Sequence, residues 1–259
     1  MTMLNNINTE FLAPYITNFF IILLRSSIFV TLIPIIGGKE LPGQFRLGFA
    51  VFIALLLTPV VKVEIHESSI PLLILKELLV GFALGFTVRL IFIAVNLAGQ
   101  IMSQGIGLSA ASVFNPEFGQ STQLSEILGT VAMLYFLVMD AHHEVIYIFV
   151  KSYELLPAGQ LNIMQVIPDV LSLGNKMFIL ALKIGAPVVV GLLITNILTG
   201  FLYKVAPQMN IYFIVLPLNI ILGLLLMILS IPVFEYVLRI NFADMSSDLT
   251  RIIALAKGS

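Results

Sequence analysis

Residues 70–98, IPLLILKELLVGFALGFTVRLIFIAVNLA, run directly into residues 99–123, GQIMSQGIGLSAASVFNPEFGQSTQ. The first piece is apolar almost throughout and exceeds the roughly 20 residues that carry a helix across a bilayer. The second has no Lys or Arg, is rich in Gly, Ser and Gln, and is punctuated by Gly105, Gly107, Pro116 and Gly119. That punctuation argues against a continuous helix. Irregular backbone is tolerated at membrane depth only where protein buries it or it lines a watery cavity. The pair predicts a helical membrane protein organised around a loop that faces a conduit.

Composition extends this reading to the whole chain. It has 259 residues, 59% of them hydrophobic and 10% charged, with a mean hydropathy of +1.07. Soluble domains carry about 25% charged residues, so the chain is read as a polytopic membrane protein. The net charge of −1 offers no basic surface for nucleic acid or for anionic lipid as main partner. With no cysteine there is neither a disulfide framework nor a thiolate metal site. The beginning, MTMLNNINTEF, lacks the positive region of a cleaved signal peptide, so the first apolar run is expected to be retained.

Outward from the central loop, apolar runs cover residues 11–36, 45–61, 124–150, 170–203 and 211–238. Together with residues 70–98 they predict about six long helices in an all-α fold, since none shows the alternation of a barrel strand. Pro187, Pro217 and Pro232 are expected to kink their helices. Residues 151–169 read as a mixed connector, and residues 239–259 as a polar, weakly amphipathic tail. The expected layout is one domain over 1–259: three helices in 1–98, the loop in 99–123, three helices in 124–238, and the tail. With six crossings, the surplus of Lys and Arg on the side of the termini favours cytoplasmic ends.

Several constellations admit a functional and a plainer reading. Arg25, Lys76, Glu77, Arg89, Asp140 and Lys183 lie in apolar runs, where each costs about 2.5–3.5 kcal/mol against lipid. They could line an ion path. Because both signs occur in similar numbers, pairing inside a bundle or at a subunit interface is preferred. Gly81 and Gly85 form a GxxxG pattern, Ala94 and Ala98 repeat the spacing, and Ala181 and Gly185 do so on the fifth run. These faces mark the third and fifth helices as closely packed. Asp140, His142, His143 and Glu144 could hold a metal or relay protons. No second cluster completes the usual coordination shell, so no metal is expected and an interfacial role is favoured. Gly107-Leu108-Ser109-Ala110 has the GxS look of an intramembrane serine protease, with His142 or His143 as base. Asn115-Pro116 follows too closely for Ser109 to begin a spanning helix, so neither an enzyme nor a cofactor is expected.

An ordered set of residues carries a family resemblance over nearly the whole length. It includes Arg25, Pro34, Pro42 and Arg46, then Glu77-x3-Gly81-x3-Gly85, then Ala98-Gly99, Gln104, Gly107 and Pro116. It continues with Asp140, His142-His143, Ser152, Pro157 and Gly159, then Ala186-Pro187, Asn196, Gly200, Pro207-Gln208-Met209-Asn210, Pro217 and Gly223. The chain resembles the FliR family of flagellar export-gate proteins and their relatives in virulence type III secretion. Lys204 stands where that family usually has Arg, which keeps the charge but loses the planar fork. Leu216 stands where an aromatic often precedes the Pro.

The resemblance implies bent helical hairpins in a multi-subunit, helically arranged pore of the bacterial inner membrane at the flagellar basal body. It implies FliP-like and FliQ-like membrane subunits in one complex, FlhB and FlhA as neighbours, and unfolded flagellar proteins as cargo. It implies that residues 105–123 plug the closed channel, with Gly105, Gly107, Ser109, Val113, Phe114, Asn115 and Pro116 as the gate. Arg25, Glu77, Gly81, Gly85, Lys204, Pro207, Gln208 and Asn210 are expected at helix-packing or subunit contacts. The alternative from another class is an ion-coupled secondary transporter using Asp140, Glu77 or Arg89. Such folds carry paired broken helices, and none is evident in the sequence.

Overall fold

The computed structural model describes residues 9–38, 41–61, 69–108, 123–205 and 212–257. Among them the ordered backbone is helical: α1 Thr9–Leu32, α2 Pro34–Gly37, α3 Gly43–Leu57, α4 Ile70–Ile106, α5 Gln123–Val138, α6 Ala141–Leu155, α7 Ile163–Val205, α8 Tyr212–Leu229 and α9 Ile231–Lys257. The chain divides into two compact units. One holds Met1–Arg89, Asp140–Leu173 and Asp244–Ser259; the other holds Leu90–Met139 and Gly174–Ala243.

The helices depart from six simple spans for physical reasons. α3 has 15 residues, about 22 Å at 1.5 Å per residue, short of the roughly 30 Å hydrocarbon layer. α4 has 37 residues and α7 has 43, each far longer than that layer requires. Three described helices are long and apolar enough to cross a membrane, or up to five if each of two bent pairs is one crossing. α5 and α6 meet at 70°, and α8 and α9 at 49°; the second break falls at Pro232, where a kink was expected, and the first was not marked in the sequence reading. The second break has a proline behind it. Pro232 has no N–H to donate to the preceding turn and crowds its carbonyl. Ser230 closes α8 instead, its N–H donating to Leu226 O at 2.9 Å. The first break has no such marker. It turns on Asp140, whose φ of 54° is left-handed, a region that Asp enters more readily than most residues. α7 runs on through Pro187 and α8 through Pro217, two of the positions where kinks were expected.

Two further expectations are corrected. Residues 99–106 belong to α4 rather than to the loop. Gly107, φ 91°, ends that helix: its N–H donates to Gln104 O at 3.2 Å, and the Leu108 N–H donates to Ser103 O at 3.1 Å. This is the left-handed glycine cap that satisfies last-turn carbonyls. The segment 239–259 is no polar tail, because through Lys257 it continues α9. Met245, Leu249, Ile252, Ile253 and Ala256 are buried along one side of it, at the spacing of a helical face. The Asn162 N–H donates to Ala256 O at 2.8 Å, tying this face to the start of α7.

In the first unit, α1 packs on α3 through small residues. Ala50 and Ala54 are the buried positions of α3, and the Ser26 hydroxyl reaches Ala50 O at 3.4 Å. Phe29 stacks on Phe149 with ring centroids 4.1 Å apart. In the second unit the core holds Phe92, Phe136 and Phe242, with Phe136 at 5.5 Å from Phe92 and 5.2 Å from Phe242. There α4 and α7 come close: a Cβ on Gly185 would lie 3.9 Å from Met102 Cγ and 4.0 Å from Ala98 O. Ala94, Ala98 and Ala181 have no exposed surface. The small-residue faces read from the sequence meet here, as their backbones need no side-chain spacing.

Candidate functional site

Arg25 of α1 is fully buried, and its guanidinium is bonded on every side that the described residues offer it. Its Nε donates to Glu77 Oε2 at 2.8 Å and its Nη2 to Glu77 Oε1 at 3.2 Å. Nη2 also reaches Leu156 O at 3.2 Å, and Nη1 donates to Ser152 Oγ at 3.0 Å. The guanidinium carbon lies 4.2 Å from the centre of the Tyr153 ring, close enough for a cation–π contact. Tyr153 donates its hydroxyl to Ile22 O at 3.3 Å. The fork of the guanidinium explains why Arg occupies this place. One planar group bonds a carboxylate with two donors and still reaches α6 and the chain after it.

Glu77 completes the arrangement. It is 1% exposed, and Oε1 also accepts the Gly159 N–H at 3.3 Å. On the other side of that residue, Lys76 Nζ donates to Gly159 O at 2.8 Å. Gly159 has φ 81°, a turn that a side chain would strain. Neighbouring residues of α4 therefore hold both the N–H and the carbonyl of Gly159, within the turn between α6 and α7. A buried charge pair gains net stability only when its remaining hydrogen-bonding sites are also filled, and here Ser152, Leu156 and Gly159 fill them.

Close helix approach places the pair. A Cβ on Gly81 would lie 3.2 Å from the Arg25 carbonyl carbon and closer still to its oxygen. A Cβ on Gly85 would lie 2.7 Å from Leu32 Cβ and 3.2 Å from Phe29 O. Glu77, Gly81 and Gly85 are four residues apart, so they share one face of α4, and that face receives α1. The spacing Glu-x3-Gly-x3-Gly is thus a carboxylate followed by two points of backbone contact. Sequence reasoning singled out Arg25, Glu77, Gly81 and Gly85 without joining the arginine to the other three. It missed Tyr153 and the carbonyl of Leu156. The signal for Tyr153 was its position one turn after Phe149 on the buried face of α6.

The remaining sequence-predicted residues are placed differently. Gly105 is helical, and a Cβ there would lie 3.1 Å from Leu192 Cδ1; one on Gly107 would lie 2.9 Å from Leu216 Cδ1. Ser109, Val113, Phe114, Asn115 and Pro116 lie outside the described residues, as do Pro207, Gln208 and Asn210. Lys204 is exposed in the last turn of α7, where a cation complements the helix dipole. Asp140, His142 and His143 come together at the α5–α6 break, with ligand atoms all within 4.8 Å of one another.

Beyond this centre, much of the described surface is apolar. Phe178, Leu182, Leu193, Ile197 and Phe201 are exposed on α7, and Phe213, Ile221, Leu225 and Ile228 on α8. Soluble monomers rarely expose so much contiguous apolar area. Long apolar helices, a fully bonded ion pair within them and apolar outer faces define an all-α, multi-pass membrane protein. Residues 16–245 match the family described as bacterial export proteins, family 1. The chain is 29% identical to the flagellar biosynthetic protein FliR of Bacillus subtilis (strain 168), over 92% of this chain and 95% of that one. It is 31% identical to the protein of that name from Caulobacter vibrioides, over 80% of this chain and 85% of the relative. For FliR of Aquifex aeolicus the identity is 30%, covering 91% and 92%. The chain belongs to this FliR family of bacterial export proteins.

Proposed function

We propose that the chain is a pore-forming structural subunit of a flagellar type III protein export gate in the bacterial inner membrane. In this reading it sits in one complex with FliP-like and FliQ-like subunits, beside FlhB and FlhA, and unfolded flagellar proteins pass through the assembly. The observation that carries it is the similarity to FliR proteins along nearly the full length of both chains. The apolar exposed faces of α7 and α8 support it, because they suit partner helices as well as lipid. The Arg25–Glu77 centre supports a structural over an ion-coupling role for Glu77, since both carboxylate oxygens already accept hydrogen bonds.

In this reading residues 105–123 form the plug, with Gly105 and Gly107 at the end of α4 where it begins. Val113 and Phe114 supply apolar bulk, and the lack of Lys and Arg keeps fixed positive charge out of the constriction. Pro116 prevents α5 from extending back through the segment. The test replaces residues 109–116 with a Gly-Ser segment of equal length, leaving the Gly107 cap in place. The complex should still assemble, while the membrane becomes leaky to ions and small solutes. A variant that assembles, exports and stays tight to ions makes the segment a connector.

A further inference from the structure

The break between α5 and α6 gathers three side chains that the buried centre does not use. The Asp140 carboxylate and the imidazoles of His142 and His143 place their ligand atoms within 4.8 Å of one another. Asp140 Oδ1 is 3.3 Å from His143 Nδ1, and the two imidazole rings have centroids 4.0 Å apart. Ligands of a tetrahedral ion bound at about 2.0–2.1 Å stand roughly 3.3 Å from each other, so one pair already has that spacing. The local backbone explains why the carboxylate is available. Asp140 occupies the N-cap position of α6, yet its side chain makes no capping hydrogen bond. Its left-handed φ of 54° turns the chain through the break, and its oxygen faces the first turn of α6 instead.

We propose that Asp140, His142 and His143 bind a divalent transition-metal ion, with water completing the coordination. Two imidazole nitrogens and one carboxylate oxygen are the donor set of zinc-like ions with an open position. Calcium and magnesium prefer oxygen throughout. The side chains of His143 and Asp140 are 70% and 74% exposed, so an ion and its waters can enter from solvent. The anionic ligand sits at the positive end of α6, a favourable place for a carboxylate. A bound ion ties the residue at the N-cap to two residues in the first turn of α6. The inference is independent of the plug.

The test uses the full chain in its membrane complex, purified through a tag without histidine, and Co2+ as the only probe. The chain has three histidines, which makes the assignment direct. Wild type should show saturable visible d–d absorption, and His66→Gln should leave it unchanged. The double variant His142→Gln/His143→Gln should abolish it. Asp140→Asn keeps the shape and the tolerance for a left-handed φ, and should weaken Co2+ binding at least about tenfold. Zn2+ should raise the thermal unfolding temperature of wild type and leave the double variant unmoved. Metal-free yield and helical circular dichroism should match wild type for every variant. Absence of saturable absorption in wild type, or the same absorption in the double variant, overturns the proposal and leaves Asp140 and His143 as an exposed ion pair.

Discussion

Replacing Glu77 with Gln tests the buried centre most sharply. The change keeps the volume and one acceptor, but it removes the charge that two Arg25 donors face at 2.8 and 3.2 Å. It also sets an amide N–H2 against those donors and against the Gly159 N–H. Arg25 has no exposed surface, so water cannot replace the lost carboxylate. Breaking a buried pair by removing one partner costs about 3–5 kcal/mol, a large share of the 5–15 kcal/mol that holds a typical domain together. For a chain of this size that corresponds to a fall of roughly 6–20 °C in unfolding temperature. Thermal unfolding of the purified complex and the yield of assembled complex read the effect. The pair Arg25→Met with Glu77→Leu supplies the control. It leaves no unpaired charge, so it should cost less than the sum of its two single changes by a coupling near 3 kcal/mol. If Glu77→Gln assembles with an unchanged unfolding temperature while proton-dependent export shifts, the carboxylate couples ions and the structural argument fails.

Gly81→Ala should drive α1 from α4, because the new Cβ meets the Arg25 backbone; overpacking of this kind costs about 1–3 kcal/mol. Gly200→Ala, with nothing within 4 Å of the added Cβ, should leave the unfolding temperature unchanged or higher, and equal losses in the two variants would refute the close approach. Gly159→Ala must adopt φ 81° at a cost of about 1–2 kcal/mol, read in the same assay, and should expose the α6–α7 turn to protease. Expressed alone, the chain should aggregate or be degraded, and co-expression with FliP-like and FliQ-like subunits should rescue it; a stable monomer in mild detergent would contradict the assembly.

Hydropathy and spacing by themselves determined that this is an all-α membrane protein, since long apolar runs leave the backbone no other way to bond itself. They also marked Gly81 and Gly85 as close-packing positions and Arg25 and Glu77 as charges needing partners. They did not determine that those two charges meet, as the residues are 52 apart in the chain and no local pattern encodes such a contact. The ends of helices were poorly legible for the same reason. Gly105 reads as a breaker, yet a helix already running from Ile70 tolerates it because burial of Met102 and Ile106 outweighs the local cost. Residues 239–257 read as a tail because about half of their side chains are polar, but Met245, Leu249, Ile252, Ile253 and Ala256 fall on one face and are buried. The break at Asp140 carries neither Gly nor Pro. Only the tertiary structure decided that the chain turns there, and that the turn brings a carboxylate beside two imidazoles.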